Sequence, residues 1–420
     1  MRIVKMIKKH KEINFTSCTT TACECVKAIV HCKDKKDYVT VYHEKIKDIL
    51  HMEYVYSFAG GRMALYAILQ AMGIGKGDEV IIQGYTCCVV PKAIMYTGAK
   101  PIYADITEED YNLSYNSVVA NLTDRTKAIV VQHTYGIPCH AMNALRKLCD
   151  EKKLYMIEDC AHTFGVEWNG KVLGTFGDAA FFSTDHTKYI STSVGGVAVT
   201  NNSLLGQQLD VIYSTVTELT GREQKAVIIQ LAMMNIFRNK YISYFLSLNK
   251  VTRRIEGYTW RILNKFHCVF YMNDYSNVDF PKYSFPAKLS NVQAMIGISQ
   301  LDKLNENIKY RRKLTEIYKE ELSTSFYIPK DCDALLRMPL TVKSPQKVIS
   351  GLNGLVKVEQ WFSPALECID EEDYVSFAYS KAACPTAQRV ADHIINLPLH
   401  PKVTQEEIRE ICKVVLLLDM

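Results

Sequence analysis

Between residues 54 and 200, short β-rich runs alternate with helical stretches, and this alternation leaves few architectures open. Runs at 78–82, 128–131, 154–157, 179–182 and 197–200 predict a mostly parallel sheet covered by helices on both faces. Open sheets of this kind bind ligands in the crevice past the carboxyl ends of their strands, so the residues just after each run carry the chemical interest. Gln83-Gly84-Tyr85-Thr86-Cys87-Cys88 lies past one such end. A chain of 420 residues has room for two or three domains. With 48% hydrophobic and 23% charged residues, it has the composition of a soluble globular protein.

Three stretches stand out. In 178–196 the apolar, aromatic run stops at Ser183, and Lys188 follows five residues later, ahead of Gly195-Gly196 and a second apolar run. A lysine on a turn beyond a buried strand is partly desolvated, which lowers the amine's pKa and favours its nucleophilic form. Taken alone, a lysine is usually a surface residue. In Ile157-Glu158-Asp159-Cys160-Ala161-His162 an apolar strand ends in two carboxylates, with a histidine three residues on. Such a carboxylate can keep a heterocyclic nitrogen protonated; the competing reading is a helix N-cap at Asp159 with His162 in the first turn. Gly60-Gly61-Arg62 reads as a glycine turn opening a helix, whose free N–H groups suit a phosphate. Together the turn, Asp159, Ser183 and Lys188 are the parts that a pyridoxal phosphate enzyme requires: a phosphate cup, an acidic partner for the pyridinium nitrogen and a Schiff-base lysine.

These segments resemble the DegT/DnrJ/EryC1/StrS sugar aminotransferases, over roughly residues 50–200 and 281–420. Glu158-Asp159 through Gly165 stands where that family has Glu-Asp-Ala-Ala-Gln-x-x-Gly, which makes Asp159 the pyridinium partner and puts His162 in place of the Gln beside the ring hydroxyl. Gly177 through Ser183, followed by Lys188, is similar to the family's strand, phosphate-binding Ser and cofactor lysine. His133 through Pro138 resembles its His-x-Tyr/Phe-Gly-x-Pro turn, and Gly61 and Arg62 sit on its phosphate turn. Leu397 through Glu407 resembles its closing signature, with Thr404 and Glu407 forming a capping box for the last helix. The chain also departs from the pattern. Ser193-Val194 precede the glycine pair, Cys87 stands where an aromatic covers the ring, leaving Tyr85 as a substitute, Pro286 replaces the Asn that reaches the partner subunit's phosphate, and Lys288 replaces the Arg that follows it.

The resemblance implies an α/β fold of the aspartate aminotransferase type I: a large domain with a mostly parallel sheet between helices, plus a small C-terminal α+β domain. The expected division is an N-terminal extension at 1–45, a cofactor domain at 46–280 with a helical insertion at about 205–280, and the small domain at 281–420. The implied activity is pyridoxal 5'-phosphate-dependent transfer of an amino group from glutamate or glutamine to a nucleotide-linked keto sugar, in cell-surface polysaccharide or secondary-metabolite synthesis, by a homodimer. Lys188 and Asp159 are the expected catalytic pair, and Gly61, Arg62, Cys87, His162 and Ser183 complete the expected cofactor site. Two alternatives stand beside this. A sugar dehydratase of the same family would carry His where Lys188 stands; the other is a cofactor-binding regulator without turnover.

Net charge is +5 with scattered basic residues, so no nucleic-acid footprint is expected. The 14 cysteines suit a reducing compartment, and the basic start lacks an apolar core of signal-peptide length; the cytoplasm is expected. Cys18, Cys23, Cys25, His31 and Cys32 do not resolve into two ligand pairs, so no metal is expected. Val227, Leu231, Met234, Phe237, Tyr241, Phe245 and Leu248 form an apolar stripe at helical spacing. Its uncharged run, 226–237, is too short to span a membrane. The 226–250 stretch reads as packing on the core or a dimer interface, with weak lipid contact as the alternative.

Overall fold

The computed structural model describes residues 13–31, 36–237, 239, 242, 252–270, 278–331 and 333–419. Its strands are β1 (Tyr54–Phe58), β2 (Glu79–Gln83), β3 (Thr86–Cys87), β4 (Lys100–Ala104), β5 (Thr126–Gln132), β6 (Tyr155–Asp159), β7 (Glu167–Trp168), β8 (Lys171–Val172), β9 (Ala179–Ser183), β10 (Gly196–Thr200), β11 (Thr217–Glu218), β12 (Ala287–Lys288), β13 (Met338–Thr341), β14 (Leu366–Glu367) and β15 (Ile394–Leu397). Nine of them form one sheet in the order β11-β12-β1-β10-β9-β6-β5-β2-β4. The centre is parallel, from β4 through β2, β5 and β6 to β9, and β10 and β1 are antiparallel. β2, β5, β6 and β10 read as near-continuous apolar runs because helices cover both faces and leave no solvated side.

The helix Gly61–Ala71 packs its Met63, Leu65, Ile68 and Leu69 into the main core, together with Tyr56, Phe58 and Phe181. Where it starts, the chain runs very close to β10: a Cβ on Gly196 would lie 2.4 Å from the Gly61 nitrogen. Only glycine at 196 lets the helix start approach the sheet this closely. The helix Tyr38–Leu50 buries Tyr42, Ile46 and Leu50 on the other face, where a Cβ on Gly297 would meet the Tyr42 ring at 2.5 Å.

In the C-terminal part, the helices Asn291–Leu301, Leu304–Leu322, Pro345–Leu352 and Gln405–Asp419 accompany the antiparallel pair β13 and β15. The last helix carries the expected box: Thr404 N donates to Glu407 Oε2 at 2.8 Å and Glu407 N to Thr404 Oγ1 at 3.2 Å. Apolar residues at threes and fours over 283–304 predict one long helix, and the structure corrects this. That stretch holds the short strand β12 and then a helix starting at Asn291, because Pro286 has no N–H to give a helix and Ser290 with Gln293 closes a capping box at the later start. No helix begins at Asp159 either; residues after β6 form turns, so the N-cap reading fails.

Between β10 and β12 the chain forms the helices Ser203–Thr215, Gly221–Phe237 and Thr252–Lys265. Val227, Leu231, Met234 and Phe237 are buried, and Leu231 packs with Cys25, Ala28, Val292 and Ile296. Val227 and Leu231 pack in the core and Met234 lines an interior cavity, so this part of the stripe does not face lipid, while Tyr241, Phe245 and Leu248 lie outside the described residues. Among the described residues, no helix is long and apolar enough to cross a membrane. Near the N terminus, Cys18 and Cys25 are buried and Cys23 is exposed; Cys32 lies outside the described residues.

Candidate active site

The carboxyl ends of β5, β6 and β9 deliver Gln132, Asp159 and Ser183 to one cavity of about 200 Å³, which Thr86 and Cys87 reach from β3 and Lys188 from the turn after β9. Gly61 and Arg62 close the cavity at the start of their helix, and His162 stands on the turn after β6. All seven residues expected from the sequence to hold or serve the cofactor therefore line a single cavity.

The helix at Gly61 begins without a side-chain cap, since the preceding residue is Gly60. A Cβ on Gly61 would sit 3.4 Å from that of Ser183, so the helix start and the hydroxyl form one concave wall suited to an oxyanion. Arg62 is buried beside it and donates from Nη1 to the Tyr283 hydroxyl at 3.2 Å.

Asp159 and Glu158 divide their work through the alternation of the strand. The Glu158 carboxylate turns away from the cavity and accepts N–H groups from Gly174 at 2.8 Å, Phe176 at 2.6 Å and Gly177 at 2.7 Å, with His133 Nε2 at 3.1 Å. His133, Glu158 and Cys160 form the one cluster of three metal-ligating side chains found among the described residues, but this carboxylate is already occupied by those donors. Asp159 faces the cavity and accepts from Ala161 N at 2.9 Å. Burial pushes its carboxyl up to about 6, against the lowering effect of that hydrogen bond and of Lys188. A cationic ring nitrogen placed against it would restore full ionisation.

Lys188 is half-buried, and desolvation lowers its amine to about 8, with Asp185 opposing and Arg337 reinforcing the shift. A substantial fraction of the amine is thus free near neutral pH. Its Nζ lies 5.3 Å from the centre of the Trp361 ring. His162 is held neutral by burial and by the nearby cations Lys188 and Arg337. Its Nδ1 accepts from Tyr135 N at 3.1 Å, which leaves the proton on Nε2.

The aromatic wall is where the sequence reading falls short. Tyr85 does not stack on the cavity: it is fully buried behind it, with its hydroxyl 2.6 Å from that of Tyr135 and accepting from Phe362 N at 3.2 Å. The aromatics at the cavity are Phe181, Phe270, Trp361 and Phe362; the last two are brought back from far along the chain, and the Trp361 ring is tilted at 45° to that of His162, 4.6 Å away. No local spacing points to them; the signal is the pairing of β14 with β3, in which Glu367 stands opposite Cys87. Cys87 lines the cavity as expected, and hydrogen bonds from the Cys368 and Cys88 thiols hold its own thiol well below the usual range.

A parallel sheet with a phosphate-binding wall, a strand-end carboxylate and a desolvated lysine in one cavity defines a pyridoxal phosphate enzyme of fold type I. The profile of the DegT/DnrJ/EryC1/StrS aminotransferase family matches residues 26–232 and 260–416, and the chain belongs to that family. It is a pyridoxal 5'-phosphate-dependent aminotransferase. The GDP-perosamine synthase of Escherichia coli O157:H7 is 27% identical over 387 residues, spanning 90% of this chain and 89% of that one. The dTDP-3-amino-3,4,6-trideoxy-alpha-D-glucose transaminase of Micromonospora megalomicea subsp. nigra is 41% identical over 143 residues, 34% of this chain and 38% of that one. Among solved structures, Helicobacter pylori PseC, an aminotransferase of pseudoaminic acid biosynthesis, superposes with a TM-score of 0.73 at 18% identity, over 97% of this chain and 99% of its own, so the fold is shared.

Proposed function

We propose that this chain transfers an amino group from glutamate or glutamine to a nucleotide-linked keto sugar, as a cytoplasmic homodimer serving polysaccharide or secondary-metabolite synthesis. The observation that carries the reading is the convergence of Lys188, Asp159 and the Gly61–Ser183 wall on one cavity. The names of relatives aligned along nine-tenths of the chain support the sugar as acceptor. In this reading the segment 46–280 holds the cofactor and 281–420 covers it through β14 and Trp361.

When bound, pyridoxal phosphate supplies an electron sink for the charge left as a proton departs from the substrate carbon. Asp159 holds the ring nitrogen protonated, and its buried setting keeps water from competing for that contact. The Gly61 turn, Arg62 and Ser183 hold the phosphate. Lys188 would hold the cofactor and, as a free amine, would move the proton at the substrate carbon. Trp361 and Phe362 exclude water from the same space. Arg337 lies with its guanidinium 3.7 Å from the Trp361 ring centre and 4.3 Å from that of Phe15. Among the described residues no hydrogen bond or ion pair engages it, which leaves a buried cation for a donor's carboxylate.

The test is a half-reaction. The loaded enzyme, mixed with L-glutamate or L-glutamine and no acceptor, should lose its near-visible absorbance, and a nucleotide-linked keto sugar should restore it. An enzyme silent to every amino donor would leave the non-catalytic alternative standing.

A further inference from the structure

Gln230 lies in the middle of the helix Gly221–Phe237, is 3% exposed, and lines the cavity shared by Lys188, Ser183 and Arg62. Its Oε1 has no hydrogen-bond partner, and among the described residues none is found for its Nε2. Buried side-chain amides are almost always hydrogen-bonded, so a carboxamide unpartnered at both ends in the wall of a cavity calls for a ligand. A loosely placed helix does not explain the open amide. Ser193 Oγ donates to Val227 O at 3.3 Å, Asn235 Nδ2 donates to Thr20 Oγ1 at 2.8 Å, and Leu231 is packed among Cys25, Val292 and Ile296.

The chemistry of the amide selects the ligand. A phosphate or a donor's carboxylate only accepts hydrogen bonds, so it would satisfy Nε2 and leave Oε1 bare. An ammonium group only donates, which leaves Nε2 bare. A hydroxyl both donates and accepts and can satisfy either end, and two neighbouring hydroxyls satisfy both. The oxyanion side of the cavity already has its donors in Gly61, Ser183 and Arg62.

We propose that Gln230 hydrogen-bonds the hydroxyls of the acceptor sugar and thereby helps to decide which sugar is accepted. The inference rests on the reading of the chain as a sugar aminotransferase. Helix Gly221–Phe237 then has a second role besides packing: one face buries Val227 and Leu231, while Gln230 and Met234 reach the substrate.

The experiment compares the loaded wild-type enzyme with Gln230→Leu and Gln230→Glu. GDP-, UDP- and dTDP-linked aminodeoxyhexoses are offered in the reverse half-reaction, and L-glutamate in the forward one. For the sugar that reacts, Gln230→Leu should raise KM, and the Kd from spectral titration of the cofactor band, about tenfold, as loss of one or two neutral hydrogen bonds predicts. Gln230→Glu, which keeps the acceptor, should lose less. Glutamate kinetics, cofactor affinity and Tm should stay at wild-type values. If the sugar still reacts with unchanged KM and Kd, or if the loss falls on glutamate or on cofactor affinity, the inference is overturned while the aminotransferase reading stands. If the wild type reacts with glutamate and with none of the sugars, the sugar reading fails and the inference with it.

Discussion

At the residue scale, the same burial that makes Asp159 and Lys188 useful makes both of them costly. The carboxyl of Asp159 titrates at about 6 in the fold against an ordinary 3.8, so between those values the folded protein binds a proton that the unfolded chain has lost. Its contribution to stability is therefore fully present below pH 3.8 and is lost as the pH rises through 6. A shift of about two units corresponds to roughly 3 kcal/mol. Asp159→Asn should accordingly raise the Tm of the cofactor-free protein at pH 7.5 but not at pH 3.5, while lowering turnover of the loaded enzyme; melts at the two pH values check the first half and steady-state rates the second. Lys188 shifts the opposite way. With its amine at about 8, covalent attachment of added cofactor should speed up about tenfold per pH unit below 8 and level off above it, as followed by the near-visible band. Lys188→Ala should fold, lose that band and lose about 10²- to 10⁴-fold or more in turnover. Recovery of the borohydride-fixed cofactor on any other lysine would refute the assignment.

At the scale of elements, Glu158 shows how a site is built from behind. Its carboxylate collects three backbone N–H groups from Gly174, Phe176 and Gly177, the chain that leads into β9 and on to Ser183 and Lys188. Glu158→Ala strands these donors in a buried place, so it should cost about 3 kcal/mol of stability and loosen the lysine turn, read as a lower Tm together with weaker cofactor retention. The carboxylate pair was legible in the sequence because a strand ending in Glu-Asp alternates its side chains: one must face the sheet's edge cavity and the other its supporting turn. Ser183 and Lys188 were legible for a similar reason, as short-range neighbours on a single strand and turn. Trp361, Phe362 and Gln230 were not. They enter the cavity through contacts between segments far apart in the chain, and a two-residue strand such as β14 leaves no periodicity to read. Tyr85 was misread for the converse reason: local position placed it near the site, while its hydroxyl found partners behind the wall. The break at Pro286 and Ser290 was also misread, although it is written in residue types whose local rules decide where a helix begins.

At the scale of the whole molecule, the helix Thr252–Lys265 leaves an apolar face exposed. On the helix Thr252–Lys265, Ile255 is 42% exposed, Tyr258 54% and Ile262 57%, and their spacing of three and four puts them on one face. Phe266, just beyond, is 64% exposed. An isolated exposed apolar residue needs no explanation, but three along one helix face with a fourth just past its end are the pattern of a surface that meets something. The helix carries Arg253, Arg254, Arg261 and Lys265 against Glu256, a balance that also suits an anionic surface, although Arg261 is drawn back over the Tyr258 ring at 5.9 Å. A second copy of the chain is the occupant that agrees with the proposed homodimer. Sedimentation should then give twice the 47.8 kDa of one chain, and Ile262→Glu should shift the protein toward the single-chain mass, because a carboxylate in an apolar contact loses its hydration without gaining a partner. Flotation with anionic vesicles provides the contrast. A fully active species of 47.8 kDa would take this face away from the dimer, and wild-type protein that floats while Ile262→Glu does not would assign it to an anionic lipid surface instead.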